Sequence, residues 1–290
     1  CALPIYNNFV KNKVMEFIGE GVSSLPVEFR NGIDVMTTEA GCWSSIWETD
    51  DLVRDYYETH GRLGDYKKIK PEDMALYDGL VEVDLSKIKP SIALPFHPSN
   101  VYTIEELKES AKDIFADIEK NSREVFSSND VHIDLMSKIR DGQIHFDQGI
   151  IVGCAGGTFD NIMAAADILR GKSIGNGNFS LSIYPGSQPT YLELVRNGAV
   201  ADLMAAGALI KPAFCGPCFG AGDTPANNEF SIRHSTRNFP NREGSKPTEG
   251  QVSMVALMDA RSIAATAANK GILTAADEID ISISNKKYFF

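Results

Sequence analysis

The sequence contains no long apolar run. No segment approaches the roughly 20 consecutive apolar residues that a membrane-spanning helix needs. Basic residues are also scarce, because 28 lysines and arginines face 39 aspartates and glutamates, which gives a net charge of −11. This charge argues against a broad surface for nucleic acid or for an anionic membrane. We therefore expect neither a membrane nor a nucleic acid as a partner.

Cysteines are few, and the histidines show no metal-binding spacing. The five cysteines are an odd number and lack the regular spacing of a disulfide framework. This pattern favours reduced thiols or metal ligation in a cytoplasmic compartment. The five histidines lie at positions 60, 97, 132, 145 and 234, and we expect them to be structural or surface residues.

Strand and helix patterns alternate along most of the chain. Strands are predicted at Val14–Ile18, Leu80–Leu85, Gly149–Gly153, Phe179–Tyr184 and Ala208–Phe214. Helices are predicted at Pro26–Ala40, Asp50–His60, Thr103–Phe126, Phe159–Arg170, Gln188–Gly198 and Met258–Lys270. This alternation is typical of an α/β fold, in which each domain has three layers, α/β/α, and a mostly parallel sheet. Three prolines between Pro90 and Pro98 predict a boundary between a smaller domain, residues 1–94, and a larger one, residues 95–290.

Three cysteines are predicted to meet at one edge of a sheet. Cys154 and Cys215 each follow a predicted strand, and Cys218 completes a C-x-x-C pair with Cys215. Ligands of such folds bind beyond the carboxyl ends of the strands. A C-x-x-C pair can bind a soft metal, cycle as a redox dithiol or be inert. We favour a metal or cluster, and three thiolates would leave one coordination position open. Cys1 and Cys42 are interpreted as structural or incidental.

Three further residues are candidates for the same chemistry. Arg237 and Arg242 lie in one loop after a strand, and the planar guanidinium of arginine binds carboxylates through two hydrogen bonds. Two surface arginines would show the same pattern, but the nearby cysteine pair favours substrate binding. Glu39 follows an apolar helix face and could act in proton transfer, or simply end the helix.

Several segments together resemble the aconitase family, the iron–sulfur hydro-lyases. Individually they are weak, but their order and spacing agree and they cover most of the chain. The segments are Phe17–Leu25, Met36–Gly41, Val81–Pro90, Gly153-Cys154, Tyr184–Gln188, Cys215–Gly220 and Arg237–Arg242. The resemblance implies two α/β domains that correspond to the second and third domains of an aconitase.

The resemblance also implies a cofactor and a reaction. Enzymes of this family carry a [4Fe–4S] cluster on three cysteines, and the fourth iron binds the hydroxyl and a carboxylate of the substrate and removes water. By position, Cys154, Cys215 and Cys218 match the cluster ligands. The arginine pair matches the arginines that bind substrate carboxylates, and Glu39 matches the acid near the labile iron.

Some positions near the cysteines depart from the family pattern. After the first cluster cysteine the family commonly has Thr-Asn, whereas this chain has Ala155-Gly156. Thr236 stands where the family usually has an asparagine. Residues that surround metal ligands tune the metal. The departures therefore favour a divergent hydratase branch.

The resemblance predicts a fragment of a longer enzyme. The family has an N-terminal domain with an Asp-His pair and a C-terminal domain with the catalytic-base serine, and neither pattern is recognisable here. We expect those domains and a small polycarboxylate substrate as partners, and little or no turnover by the chain alone. An open cluster loses iron readily in air, so we expect that it can be absent from the purified chain.

Two alternatives remain open from the sequence. One is a thiol redox protein that uses Cys215 and Cys218. The other is an iron–sulfur sensor or binding module without turnover.

Overall fold

Two compact units divide the chain. The computed structural model describes residues 8–127, 131–241, 245–280, 284 and 288. The described residues up to Ile88, together with Tyr288, belong to the smaller unit, and those from Lys89 to 284 belong to the larger one. The division falls between Ile88 and Lys89, whereas the sequence pattern placed it near residue 94.

The smaller unit is built from two parallel strands and two helices. Its elements are β1 (Val14–Phe17), α1 (Val27–Glu39), β2 (Ser44–Trp47) and α2 (Asp51–Thr59). The rings of Phe17 and Trp47 stack with their centroids 4.1 Å apart. Arg30 of α1 is almost fully buried and donates to the Asp50 carboxylate at 2.6 Å. The Asp50 side chain also accepts from the N–H of Val53, so one carboxylate joins α1 to the start of α2.

A seven-stranded mixed sheet organises the larger unit. Its strands are β3 (Ser91–Ala93), β4 (Val101–Thr103), β7 (Gln148–Val152), β8 (Ser180–Tyr184), β9 (Leu209–Ile210), β10 (Phe230–His234) and β11 (Met254–Met258). They lie in the order β4-β3-β11-β10-β7-β8-β9. The five strands from β11 to β9 pair in parallel, and β3 and β4 are antiparallel. A separate hairpin joins β5 (Ile139–Arg140) to β6 (Gln143–Ile144).

Helices connect these strands and confirm the α/β class. They are α3 (Ile104–Val125), α4 (Gly153–Gly156), α5 (Phe159–Leu169), α6 (Gln188–Arg196), α7 (Ala199–Ala206), α8 (Gly216–Phe219) and α9 (Ala260–Ala268). Helices α5 and α9 pack together, and α9 packs on β7 and β10. The parallel strands β7 and β11 are buried along their whole length, as expected of strands covered on both faces.

The two faces of the central strands have different coverings. On one face, Gly149 of β7 lies so close to α9 that an added Cβ would be 3.2 Å from the Ile263 side chain. On the other face, Ile150, Val152 and Tyr184 form a buried cluster with Cys218. The segment that carries the C-x-x-C pair therefore covers the sheet directly, and the parallel ladder positions it.

Three sequence predictions differ from the structure. Residues 80–85 form no strand, and both Leu80 and Val83 are exposed. The predicted strand Ala208–Phe214 is reduced to β9, because Pro212 has no N–H to donate to a ladder. Met258 ends β11 instead of beginning a helix. The other predicted strands and helices form close to their predicted bounds. The elements that were not predicted are β2, β3, β4, β5, β6, β11, α4, α7 and α8.

The longest helix, α3, begins with a complete capping box. The Thr103 hydroxyl accepts from the N–H of Glu106 at 3.1 Å, and the Glu106 carboxylate accepts from the N–H of Thr103 at 2.8 Å. The bond from the Thr103 N–H to the carboxylate, followed by the Thr103 hydroxyl, lowers the pKa of Glu106. Leu107 and Phe115 are fully buried on one face of the helix, and much of the rest is charged. Within the described ranges, no helix is long and apolar enough to cross a membrane.

Replacement of the capping threonine tests this helix start. Thr103→Ala removes the acceptor for the Glu106 N–H, and we expect it to lower the free energy of unfolding by about 1 kcal/mol. Thr103→Ser keeps a hydroxyl and should behave like the wild type. Urea denaturation followed by circular dichroism measures both, and equal stabilities of the alanine and serine variants would contradict the capping role.

Candidate three-cysteine site

Cys154 lies where the chain leaves the carboxyl end of β7. Gly153 has a φ of 74°, a left-handed conformation that suits glycine, and it turns the chain sharply into α4. The Cys154 side chain is exposed at this edge. Only Gly153 separates Cys154 from the end of β7, close to the prediction, whereas Cys215 does not directly follow a strand as predicted, because β9 already ends at Ile210.

Two glycines hold this turn against the ends of the neighbouring strands. A Cβ on Gly156 would lie 2.2 Å from the carbonyl oxygen of His234, the last residue of β10. A Cβ on Gly157 would lie 2.4 Å from the carbonyl oxygen of Tyr184, the last residue of β8. Neither space admits a side chain. The family's asparagine at position 156 would not fit this backbone.

The C-x-x-C pair lies beside the same turn. Cys215 is the exposed residue that precedes α8, and Cys218 is buried inside that short helix. The N–H of Cys218 donates to the Cys215 carbonyl at 3.1 Å. The Cys218 sulfur would lie 3.0 Å from a Cβ placed on Gly153. The C-x-x-C pair and the Cys154 turn are therefore neighbours in space.

The electrostatics of the thiols follow from this proximity. Burial, and then the adjacent Cys215, raise the pKa of Cys218 to about 12. Burial, with a smaller effect of Cys215, also raises the pKa of Cys154, while Arg237 acts in the opposite direction. A redox dithiol normally needs a thiol of lowered pKa. A bound metal, in contrast, deprotonates a coordinating thiol outright. A redox dithiol needs only two thiols, whereas the turn that carries a third thiol, Cys154, lies beside the pair, and this arrangement favours ligation.

A buried polar group lies under the cysteine segment. Arg233 of β10 is fully buried, and the sequence analysis did not single it out. Its guanidinium donates to Ser231 Oγ at 3.1 Å and to the carbonyl oxygen of Pro217 at 2.8 Å. Longer bonds reach Gln148 Oε1 and the carbonyl oxygen of Asp223. A charged residue in the middle of the strand segment Phe230–His234 is the one signal that could have identified it.

The other predicted site residues lie in different places. Arg237 follows β10, and its positive charge is close enough to Cys154 to act on the pKa of that thiol. Its loop is fixed by the buried Asn238, whose amide donates to the carbonyl oxygen of Leu94 at 2.8 Å. Arg242 lies outside the described residues. Glu39 is the last residue of α1 and belongs to the smaller unit.

His234 has a structural role, as its sequence context predicted. Its Nδ1 accepts from the N–H of Ala260 at 3.1 Å, at the start of α9. Burial lowers the pKa of His234 to about 4, so the ring is neutral at physiological pH and able to accept this bond. Among the described residues, no group of three or more His, Cys, Asp or Glu side chains is arranged to hold a single metal ion.

The fold and the site define an α/β protein with three cysteines gathered at the carboxyl edge of a parallel sheet. The profile of the Aconitase family (aconitate hydratase) matches residues 4–265. The chain therefore belongs to the aconitase family.

Named relatives agree with this assignment. The chain is 29% identical over 255 residues to the 3-isopropylmalate dehydratase large subunit of Clostridioides difficile, covering 87% of this chain and 52% of that protein. It is 30% identical over 236 residues to the 2,3-dimethylmalate dehydratase large subunit of Eubacterium barkeri, covering 81% and 48% respectively. The chain thus spans about half the length of these relatives.

Substitution of the tightly packed glycine tests the geometry of the cysteine turn. Gly156→Ala forces a Cβ against the His234 carbonyl, and we expect a loss of roughly 1–3 kcal/mol in the free energy of unfolding. Gly177→Ala is the matched control, because a Cβ there meets nothing within 4 Å. Urea denaturation of the two variants measures the difference. A Gly156→Ala variant as stable as the control would show that the turn is not constrained by the strand end.

Proposed function

We propose that the protein is the cluster-bearing part of a hydro-lyase that reversibly dehydrates a hydroxy polycarboxylic acid. The observation that carries the proposal is that the Cys154 turn and the C-x-x-C pair lie side by side, at the edge of the sheet where α/β proteins bind ligands. The names of the relatives, dehydratases of 3-isopropylmalate and 2,3-dimethylmalate, support a malate with alkyl substituents as the substrate class.

The donor set suits a [4Fe–4S] cluster held by Cys154, Cys215 and Cys218. Thiolates are soft ligands that select iron–sulfur clusters, and a cluster spreads its ligands over several irons, so the sulfurs need not converge on one point. The Cys154 turn lies beside Cys218, as the ligands of one cluster must. When bound, such a cluster supplies a Lewis-acid iron with an open position.

The protein groups around the cysteines orient the substrate. Arg237 is proposed to bind one substrate carboxylate through two parallel hydrogen bonds, since its charge already acts on Cys154. Arg242 of the same loop is proposed to bind a carboxylate as well. Independently of the cysteine site, Glu39 of the smaller unit is proposed as a proton-transfer group, because its position matches the family pattern.

The proposal also includes a companion polypeptide and a cellular compartment. The relatives are named as large subunits, which supports a companion polypeptide that completes the active site. The cytoplasm is proposed as the compartment, because an open cluster and free thiols require reducing conditions.

Iron binding is the first test of the proposal. Anaerobic reconstitution with iron and sulfide should load wild-type protein, and Cys154→Ser should lose most of the iron and the visible absorbance of the cluster. Cys42→Ser, in the smaller unit, is the matched control and should load normally. Equal loading of the Cys154→Ser variant would contradict the three-cysteine site.

Carboxylate binding tests the role of Arg237. Arg237→Lys keeps the charge but loses the planar pair of donors, so we expect roughly tenfold weaker binding of 2,3-dimethylmalate or a similar dicarboxylate by the cluster-loaded protein. Arg140→Lys, an exposed arginine of β5, is the control. Calorimetric titration measures both affinities. A loaded wild-type protein that binds no dicarboxylate would instead support an iron–sulfur binding module without turnover.

A further inference from the structure

Arg233 is the largest fully buried side chain of the larger unit, and its exposed fraction is 0%. A guanidinium cannot be neutralised by loss of a proton in proteins. Burial of a charge is costly unless hydrogen bonds and opposite charge compensate it. The cost of burying Arg233 must therefore be offset by the groups around it, which are hydrogen-bond acceptors from the cysteine segment and from two strands.

The guanidinium binds both ends of the segment that contains Cys218. One terminal nitrogen donates to the carbonyl oxygen of Pro217 at 2.8 Å, and the other is 3.3 Å from the carbonyl oxygen of Asp223. Between these two residues the chain forms the end of α8 and the turn after it, where the N–H of Ala221 donates to the carbonyl oxygen of Gly216 at 2.9 Å. Arg233 thus fastens a short loop to the sheet at two points.

Residues of two neighbouring strands hold the Nε side of the Arg233 guanidinium. Its Nε donates to Ser231 Oγ, whose hydrogen donates to Gln148 Oε1 at 2.7 Å. Gln148 Nε2 donates to the carbonyl oxygen of Asp223 at 3.0 Å, so the amide and the guanidinium hold the same carbonyl. Ser231 and Gln148 lie opposite each other in the parallel ladder of β10 and β7. The cation is therefore held by the rigid part of the sheet.

A positive charge at this place has a specific electrostatic effect. Pro217, which the guanidinium touches, immediately precedes Cys218 in the chain. Three thiolates carry more negative charge than an oxidised [4Fe–4S] core carries positive charge, and reduction adds a further electron. Net charge and hydrogen bonding near the sulfurs set the potential of such clusters. A fixed cation beneath the ligands favours the more negative state.

We propose that Arg233 is a positioning residue of the three-cysteine site, which fixes the Pro217–Asp223 segment and offsets the negative charge of a cluster bound by the cysteines. The inference rests on the proposed function, because it assigns a role toward the proposed cluster. In this role Arg233 contacts neither the irons nor the substrate, and it acts through its bonds to the cysteine segment.

The test compares three variants after anaerobic reconstitution. Arg233→Met removes the charge with little change of volume, and Arg233→Lys keeps the charge but not the forked donors. Arg170→Met, at the exposed end of α5, is the control for the loss of one positive charge elsewhere in the unit. Redox titration followed by electron paramagnetic resonance should give a lower potential for Arg233→Met, a potential near wild type for Arg233→Lys, and no change for Arg170→Met.

A second measurement applies to the cluster-free protein and separates anchoring from charge. Amide hydrogen exchange at Cys218 and Ala221 should be roughly tenfold faster or more in Arg233→Met, since the segment loses its bonds to the sheet. Unchanged exchange would overturn the anchoring role even if this variant holds no iron. Equal potentials of Arg233→Met and wild type, or of Arg233→Lys and Arg233→Met, would overturn the electrostatic role. A wild-type protein that takes up no iron would instead refute the proposed function.

Discussion

The close approach of backbone segments at the carboxyl ends of β7, β8 and β10 is the constraint on which the site depends. The turn after β7 lies between the two neighbouring strand ends, where Gly156 and Gly157 meet the carbonyl groups of His234 and Tyr184. The N–H of Gly186 then donates to the Gly157 carbonyl at 2.7 Å and joins the loop after β8 to the same turn. Because the strands are parallel and in register, their ends are level, and a turn with glycine at both contacting positions can pass over them. This arrangement brings the Cys154 turn beside the C-x-x-C pair.

The sequence pattern predicted those elements whose signal is local. The strand before Cys154 is a short apolar run that ends at a glycine, and α3 begins with a threonine and a glutamate at capping-box spacing. The alternating pattern at residues 80–85 was misleading, because a strand needs a hydrogen-bonding partner and alternation alone does not supply one. Strand β11 is a continuous apolar run, which a sequence pattern cannot distinguish from a buried helix.

The candidate site was predicted in part for the same reason. The cysteines and Arg237 lie in glycine-rich loops after strands, where functional residues concentrate, so their positions alone made them candidates. Arg233 gives no such signal, because its importance comes from a loop that is distant along the chain and folds over it. The net charge of −11 was also a poor guide to the local field, since two arginines lie near the thiols of an acidic protein. Net charge describes the whole chain, whereas the pKa of a thiol depends on the charged groups within a few ångströms of it.

The ladder of β10 ends at His234, and this boundary separates two kinds of residue. Arg233 lies within the ladder, so any change there acts on the packing beneath the cysteines. Arg237 lies beyond it, in a loop that a buried asparagine ties to the distant carbonyl of Leu94. Substitutions in the loop can therefore accumulate without disturbing the strand register or the bonds beneath Cys218. Over evolution, the loop beside Cys154 can change its sequence while the thiols keep the same arrangement.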